Sequence, residues 1–153
     1  MPPAPSVILD LPDLAATEAL GARLAALLHR GDAILLEGPL GAGKSALARA
    51  LLRAAAGDPD LEVPSPSFTL VQSYDTPIGA IHHYDLWRLD QSADVVELDW
   101  DGAREDIVLV EWPDRLGDLR PDDALTVTLA LADAEDARTA RLTGWPDRIG
   151  QLA

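Results

Sequence analysis

The stretch Glu37–Ala46 reads E-G-P-L-G-A-G-K-S-A, and the fold class follows from it. Gly38, Gly43, Lys44 and Ser45 satisfy G-x-x-x-x-G-K-[ST], the phosphate-binding P-loop pattern. The apolar run Ala33–Leu36 before it reads as a short buried strand, and Ala46–Ala56 after it consists of strong helix formers. Strand, glycine loop and helix in that order form the context the pattern requires. The residue types follow from the ligand. A loop wrapped around phosphate oxygens needs backbone without Cβ atoms, so that successive N–H groups point inward as an anion nest at a helix N-terminus. Lys44 is expected to reach the β and γ phosphates and the Ser45 hydroxyl to ligate Mg²⁺. Lys44 is also the only lysine in a chain that otherwise uses arginine, which suggests that a slim point charge is needed there.

Outward from this loop, the 153 residues predict one domain with a substantial core, spanning 1–153 with its centre at about 7–143. There is no cysteine, so disulfides and thiolate metal sites are excluded. The N-terminal M-P-P-A-P-S lacks the basic and apolar regions of a signal peptide, and no apolar run approaches a membrane span. A soluble cytoplasmic protein with no membrane partner is expected. A net charge of −14 disfavours tight direct binding of nucleic acid, which needs a basic surface to displace counterions.

In chain order, Ser6–Asp10 reads as a first strand, and Pro12-Asp13 opens a helix to about Arg30 with Leu20, Leu24, Leu27 and Leu28 on one face. The P-loop helix should stop at Gly57-Asp58-Pro59. Phe68–Tyr74 and Ala80–Asp85 read as a hairpin about the turn Thr76–Gly79, and 91–98 as a short helix. Ile107–Val110 is a purely apolar run ending in Glu111-Trp112-Pro113, the mark of a central strand with a carboxylate at its end. Leu125–Leu131 and Arg138–Thr143 should pair across Asp133–Asp136, and the tail is a short helix or loose. These elements predict an α/β, three-layer P-loop NTPase-like fold with a mixed, partly parallel sheet.

In such a sheet the nucleotide lies at the carboxyl ends of the strands. Ser65, Ser67 and Thr69 sit in a proline-constrained loop suited to ordering around a γ-phosphate, or are an ordinary strand entry. His83 and Asp85 close one strand; alone they are a strand end with a satisfied histidine. Glu111 fits a metal-holding or water-orienting carboxylate, with a surface acid as the alternative, and Trp112 reads as packing.

Taken together, L-P-D-x-x-A-T (Leu11–Thr17), the P-loop (Gly38–Ser45), V-x-S-P-S-F-x-L-V (Val63–Val71), H-x-D-L-x-R-L (His83–Leu89) and V-E-W-P (Val110–Pro113) resemble the TsaE (YjeE) family of small bacterial P-loop ATPases. The resemblance covers about 7–143. It implies an ATPase required for transfer of a threonylcarbamoyl group to the adenosine beside the anticodon of tRNAs that read codons beginning with A. It implies the TsaB–TsaD heterodimer as partner, with tRNA engaged indirectly, and ATP and Mg²⁺ as cofactors. By motif position it implies that Gly38, Gly41, Ala42, Gly43, Lys44, Ser45 and Ala46 hold the phosphates. Ser45, Glu111 and Asp85 would serve the metal, and Lys44, Asp85 and Glu111 catalysis. Thr17 and Arg138 would contact the nucleotide. Three positions depart from the pattern: Ser67 replaces a commoner threonine, Trp87 a tyrosine, and the segment after Glu97 lacks the usual glycine followed by an aromatic. Two other readings share the P-loop. One is a small-molecule kinase, for which the chain lacks an arginine-rich lid insertion after the P-loop helix. The other is a nucleotide-gated binding module with incidental hydrolysis.

Overall fold

The computed structural model describes residues 5–66, 68–89 and 92–153, and it places the P-loop at the centre of a mixed sheet. The described strands are β1 (Ser6–Leu11), β2 (Ala33–Glu37), β3 (Val71–Thr76), β4 (Gly79–Asp85), β5 (Ile107–Glu111), β6 (Leu125–Leu131) and β7 (Arg138–Thr143). Their spatial order is β1-β7-β6-β2-β5-β4-β3. β2 lies between β5 and β6 and is parallel to both, and β4 is parallel to β5. The hairpins β3–β4 and β6–β7, and the pair β1–β7, are antiparallel. The sheet is therefore partly parallel, as the sequence predicts.

Alternation along the central strands sorts the core into two layers. Ile34, Leu36, Leu109 and Val127 pack under α1 (Leu14–Leu27) and α2 (Lys44–Ala56), against Leu20, Leu24, Leu47 and Leu51. Leu35, Val108, Val110 and Tyr84 face the other way. There they meet Val95, Trp100 and Leu116, carried by the 3₁₀ turns Ser92–Leu98 and Pro113–Leu119 and by α3 (Trp100–Ala103). That second layer is made of short pieces, so the regular helices both lie on the P-loop side.

The helix boundaries follow their local chemistry. Asp13 caps α1, its Oδ1 accepting from the Ala16 N–H at 2.9 Å, so the helix starts at Leu14 rather than at the proline. α2 begins at Lys44, two residues earlier than the composition suggests, because Gly43 in the left-handed region turns the loop directly into the helix. Gly57, also left-handed, ends it and donates to the Ala54 carbonyl.

One strand boundary is corrected. The hairpin's first strand starts at Val71, not at Phe68: the Leu70 N–H turns back onto the Pro66 carbonyl at 2.6 Å and Leu70 has φ 69°. The ladder cannot begin inside that turn, and Phe68 is left 83 % exposed. The tail takes the first of its two readings, a 3₁₀ turn at Ile149–Leu152, with Trp145, Ile149 and Leu152 buried in the helical-side core. Arg148 fastens it, pairing with both carboxylate oxygens of Asp32 at 2.7 and 2.9 Å.

Candidate functional site

Because β2, β4 and β5 run parallel, their carboxyl ends meet at one edge of the sheet. The P-loop leaves β2, Asp85 closes β4 and Glu111 closes β5 directly beside it. Between them lies a cavity of about 420 Å³ lined by Gly41, Gly43, Lys44, Ser45 and Ala46 on one wall, and by Asp85, Trp87, Glu111 and Trp112 on the other. Leu40 and Ser65 complete the lining.

The loop's glycines hold this shape. Gly41 and Gly43 have φ 81° and 102°, conformations that side chains disfavour, with open space where a Cβ would stand. Gly38 has a packing reason as well. A Cβ there would lie 2.5 Å from the Leu129 carbonyl oxygen on β6, so the loop can leave β2 so close to its neighbour only without a side chain. Ala42 is fully buried beneath the loop, its N–H donating to the Pro39 carbonyl at 3.1 Å.

Lys44 lies folded against its own loop. Its ammonium donates to the carbonyls of Gly38 and Pro39 (the latter at 3.1 Å) and sits 4.0 Å above the centre of the Trp112 ring. Burial holds this ammonium below the ordinary lysine value, partly offset by the carboxylates of Glu111, Asp85 and Asp114. Trp112 has φ 59°, and this turn directs the indole to the cavity, where it also meets the Trp87 ring at 4.5 Å. The reading of Trp112 as packing is thus too narrow: it packs, and it also forms the floor under the lysine.

The acidic wall is buried. Glu111 is 2 % exposed; one carboxylate oxygen lies 3.2 Å from the Ser45 hydroxyl, the other 2.7 Å from Nε2 of His83. Asp85 accepts the Trp87 N–H at 3.1 Å, which turns the chain so that Trp87 faces the cavity. Among the described residues no three of His, Cys, Asp and Glu cluster as an all-protein metal cage. The donor set nevertheless fits Mg²⁺, which is characteristically held by one or two side-chain oxygens plus substrate phosphates and water. A hydroxyl and a carboxylate hydrogen-bonded to each other beside the glycine loop are such a set.

The remaining sequence-predicted residues are placed as follows. Arg138 does not line the cavity; it braces the loop from behind, donating to the Gly41 carbonyl at 3.0 Å and to those of Glu135 and Ala137. Thr17 is buried on α1 and is not among the lining residues. Ser65 is at the cavity, Thr69 is not, and Ser67 lies outside the described residues.

Comparison with known proteins gives the family and the fold. The family model described as "Threonylcarbamoyl adenosine biosynthesis protein TsaE" matches residues 11–140. The chain belongs to the TsaE family. It is similar to the tRNA threonylcarbamoyladenosine biosynthesis protein TsaE of Synechocystis, at 41 % identity over 71 % of each chain. It is likewise similar to that of Mycobacterium bovis, at 37 % identity over 85 % of this chain and 82 % of the relative. The TsaE protein of Rickettsia felis is 34 % identical over 76 % of this chain and 68 % of its own. In fold, the chain is similar to the crystal structure of Bacillus subtilis YdiB, with a TM-score of 0.79 at 23 % identity, covering 99 % and 94 % of the two chains. The TsaE match runs from Leu11 to Ala140 and so spans both walls of the cavity. No helix among the described residues is long and apolar enough to cross a membrane.

Proposed function

We propose that this TsaE-family chain is a Mg²⁺-dependent ATP hydrolase that serves threonylcarbamoyl modification of the tRNA adenosine beside the anticodon, acting in the cytoplasm on a TsaB–TsaD complex. The observation that carries the reading is the convergence of Lys44, Ser45, Asp85 and Glu111 on one cavity at the carboxyl ends of parallel strands. The backbone N–H groups of Gly41, Gly43, Lys44 and Ser45 and the positive end of α2 receive the phosphates, while that of Ala42 stays on the Pro39 carbonyl. Lys44 exchanges the carbonyls of Gly38 and Pro39 for the β and γ phosphate oxygens, a swap its burial favours because the new partners carry full charge. Ser45 and Glu111 hold the cation, which when bound neutralises charge developing on the phosphates. Asp85, one strand over, orients the attacking water. The net charge of −14 suits a subunit that leaves the grip on tRNA to its partners.

The test is to measure ATP hydrolysis and tRNA modification with and without TsaB–TsaD, for the wild type and for Glu111→Gln. Weak hydrolysis alone that changes on adding the partners, and is lost in the variant together with modification, is the expected result. Modification that survives loss of turnover would leave a nucleotide-gated binding module. Transfer of the γ-phosphate to a metabolite rather than to water would make the protein a kinase.

A further inference from the structure

His83 is the most deeply buried titratable side chain beside the cavity, at 1 % exposure, and it has no part in the chemistry described so far. It lies on β4 two residues before Asp85, so both point to the P-loop side of the sheet. Its neighbour across the parallel pair is Leu109, and the residue two further along β5 on the same face is Glu111. The imidazole therefore reaches diagonally, and its Nε2 meets Glu111 at 2.7 Å.

We infer that His83 is a positioning residue that fixes the rotation of the Glu111 carboxylate, so that Glu111 and Ser45 present their oxygens to the Mg²⁺ of bound ATP as a preset pair; this rests on the proposed ATP site. A carboxylate on a strand end with one partner can turn about its last bond. With Nε2 on one oxygen and the Ser45 hydroxyl on the other, both oxygens are committed. The far ring nitrogen, Nδ1, is buried and has no partner among the described residues. A bare lone pair there costs less than a buried N–H would, so the tautomer that fits carries a proton on Nε2 and donates it to Glu111. Carboxylates that ligate metals are themselves held by hydrogen bonds from behind, and removing such a partner typically lowers metal affinity or activity by about tenfold to a hundredfold.

The test compares His83→Leu, which fills similar space without a donor, with His83→Gln, whose amide can donate from nearly the position of Nε2. Three quantities are read on the full chain: affinity for a fluorescent ATP analogue with and without Mg²⁺, the Mg²⁺ concentration giving half-maximal turnover, and the urea unfolding midpoint. His83→Leu should raise the Mg²⁺ requirement and lower kcat by about tenfold to a hundredfold while leaving metal-free nucleotide affinity within about twofold. His83→Gln should recover most of both losses. Should His83→Leu fail to fold, His83→Asn, which carries a donor too short to reach, takes its place. A folded donor-less variant with the wild-type Mg²⁺ requirement overturns the inference, and so does a folded His83→Gln as impaired as the leucine variant. Wild-type protein that gains ATP affinity with Mg²⁺ but hydrolyses nothing would sink the hydrolase reading alone. The role of His83 would then be decided by whether His83→Leu erases that gain.

Discussion

The two walls of the cavity reach the same place by different routes. The phosphate wall is one continuous run of chain, Gly38–Ser45, whose shape is set by its own glycines and by the helix it opens. The acidic wall is assembled: Asp85 and Glu111 stand at the ends of separate strands and become neighbours only because β4 pairs with β5 in parallel register. A contiguous site is robust because its geometry is local. An assembled site depends on every contact that sets strand order and register, including Tyr84 behind the sheet and His83 within it. Substitutions in the first wall should therefore act on ligand binding and rate, and substitutions around the second on rate through geometry.

The largest effect expected is that of Lys44→Ala. The ammonium is the one side-chain positive charge among the described residues that line the cavity, and removing such a preorganised charge typically costs about a hundredfold to a thousandfold in kcat. Its side chain contacts the loop carbonyls and the face of Trp112 rather than the core, so far-UV circular dichroism should be unchanged. Steady-state ATP hydrolysis settles it, and a loss of less than about tenfold would contradict the role of this wall.

Next is Glu111→Gln, which keeps the size of the side chain and removes its charge. Turnover should fall by about a hundredfold, or roughly 3 kcal/mol of barrier, with metal-free ATP affinity nearly unchanged. Isothermal titration beside the rate assay separates the two. Equal loss of affinity and rate would mean that Glu111 helps to hold the ground state, and the division between the walls would blur.

How far each wall was legible follows from the same difference. The P-loop is readable because residues adjacent in sequence are adjacent in space, and its pattern alone names Lys44 and Ser45, both of which line the cavity. Asp85 and Glu111 could be named as carboxylates closing apolar runs, but their adjacency is a property of strand order that no local pattern encodes. The bond from His83 to Glu111 is hidden for the same reason, and His83 reads as an ordinary strand-end histidine until β4 is laid beside β5. The contact of Trp112 with Lys44 is hidden in another way. A left-handed tryptophan is rare, and nothing in V-E-W-P says that the chain turns there and brings the indole under Lys44. The misplaced start of β3 belongs with it, since Phe68, Thr69 and Leu70 have strand-like composition while the prolines before them impose a turn.

A third substitution asks how local the phosphate wall really is. Gly38→Ala would force a Cβ to 2.5 Å from the Leu129 carbonyl at φ 141°, and the opposing atom is backbone, which yields little. The folded state should lose about 2–3 kcal/mol. Gly41→Ala, at φ 81° and with nothing within 4 Å, should lose only about 1–2 kcal/mol. Urea unfolding of the pair measures the difference. Equal losses would show that β6 shifts freely, and that the loop does not depend on its neighbour.

The smallest effect tests the back of the assembled wall. Tyr84 lies between His83 and Asp85 on β4 but points to the opposite layer, where its hydroxyl donates to the Leu98 carbonyl at 2.8 Å and its ring meets Trp100 edge-on at 5.2 Å. Burial, aided by the charge of Asp99, pushes its pKa up to about 12 from an ordinary value of 10.0. A group whose pKa is raised on folding contributes stability fully present below its unfolded pKa and lost as pH climbs through the folded one. Two pH units correspond to roughly 2–3 kcal/mol, withdrawn between about pH 10 and pH 12. Tyr84→Phe should cost about 1 kcal/mol at pH 8 through the lost hydrogen bond, and it cannot ionise. The stability difference between wild type and variant should therefore shrink and then reverse across that window, cancelling the titration of every other group. A constant difference from pH 8 to 12 would mean that Tyr84 is not held in this layer. If instead the variant alters the rate of ATP hydrolysis more than it alters stability, the anchor behind β4 reaches through the strand to Asp85, and the acidic wall is set from both faces of the sheet.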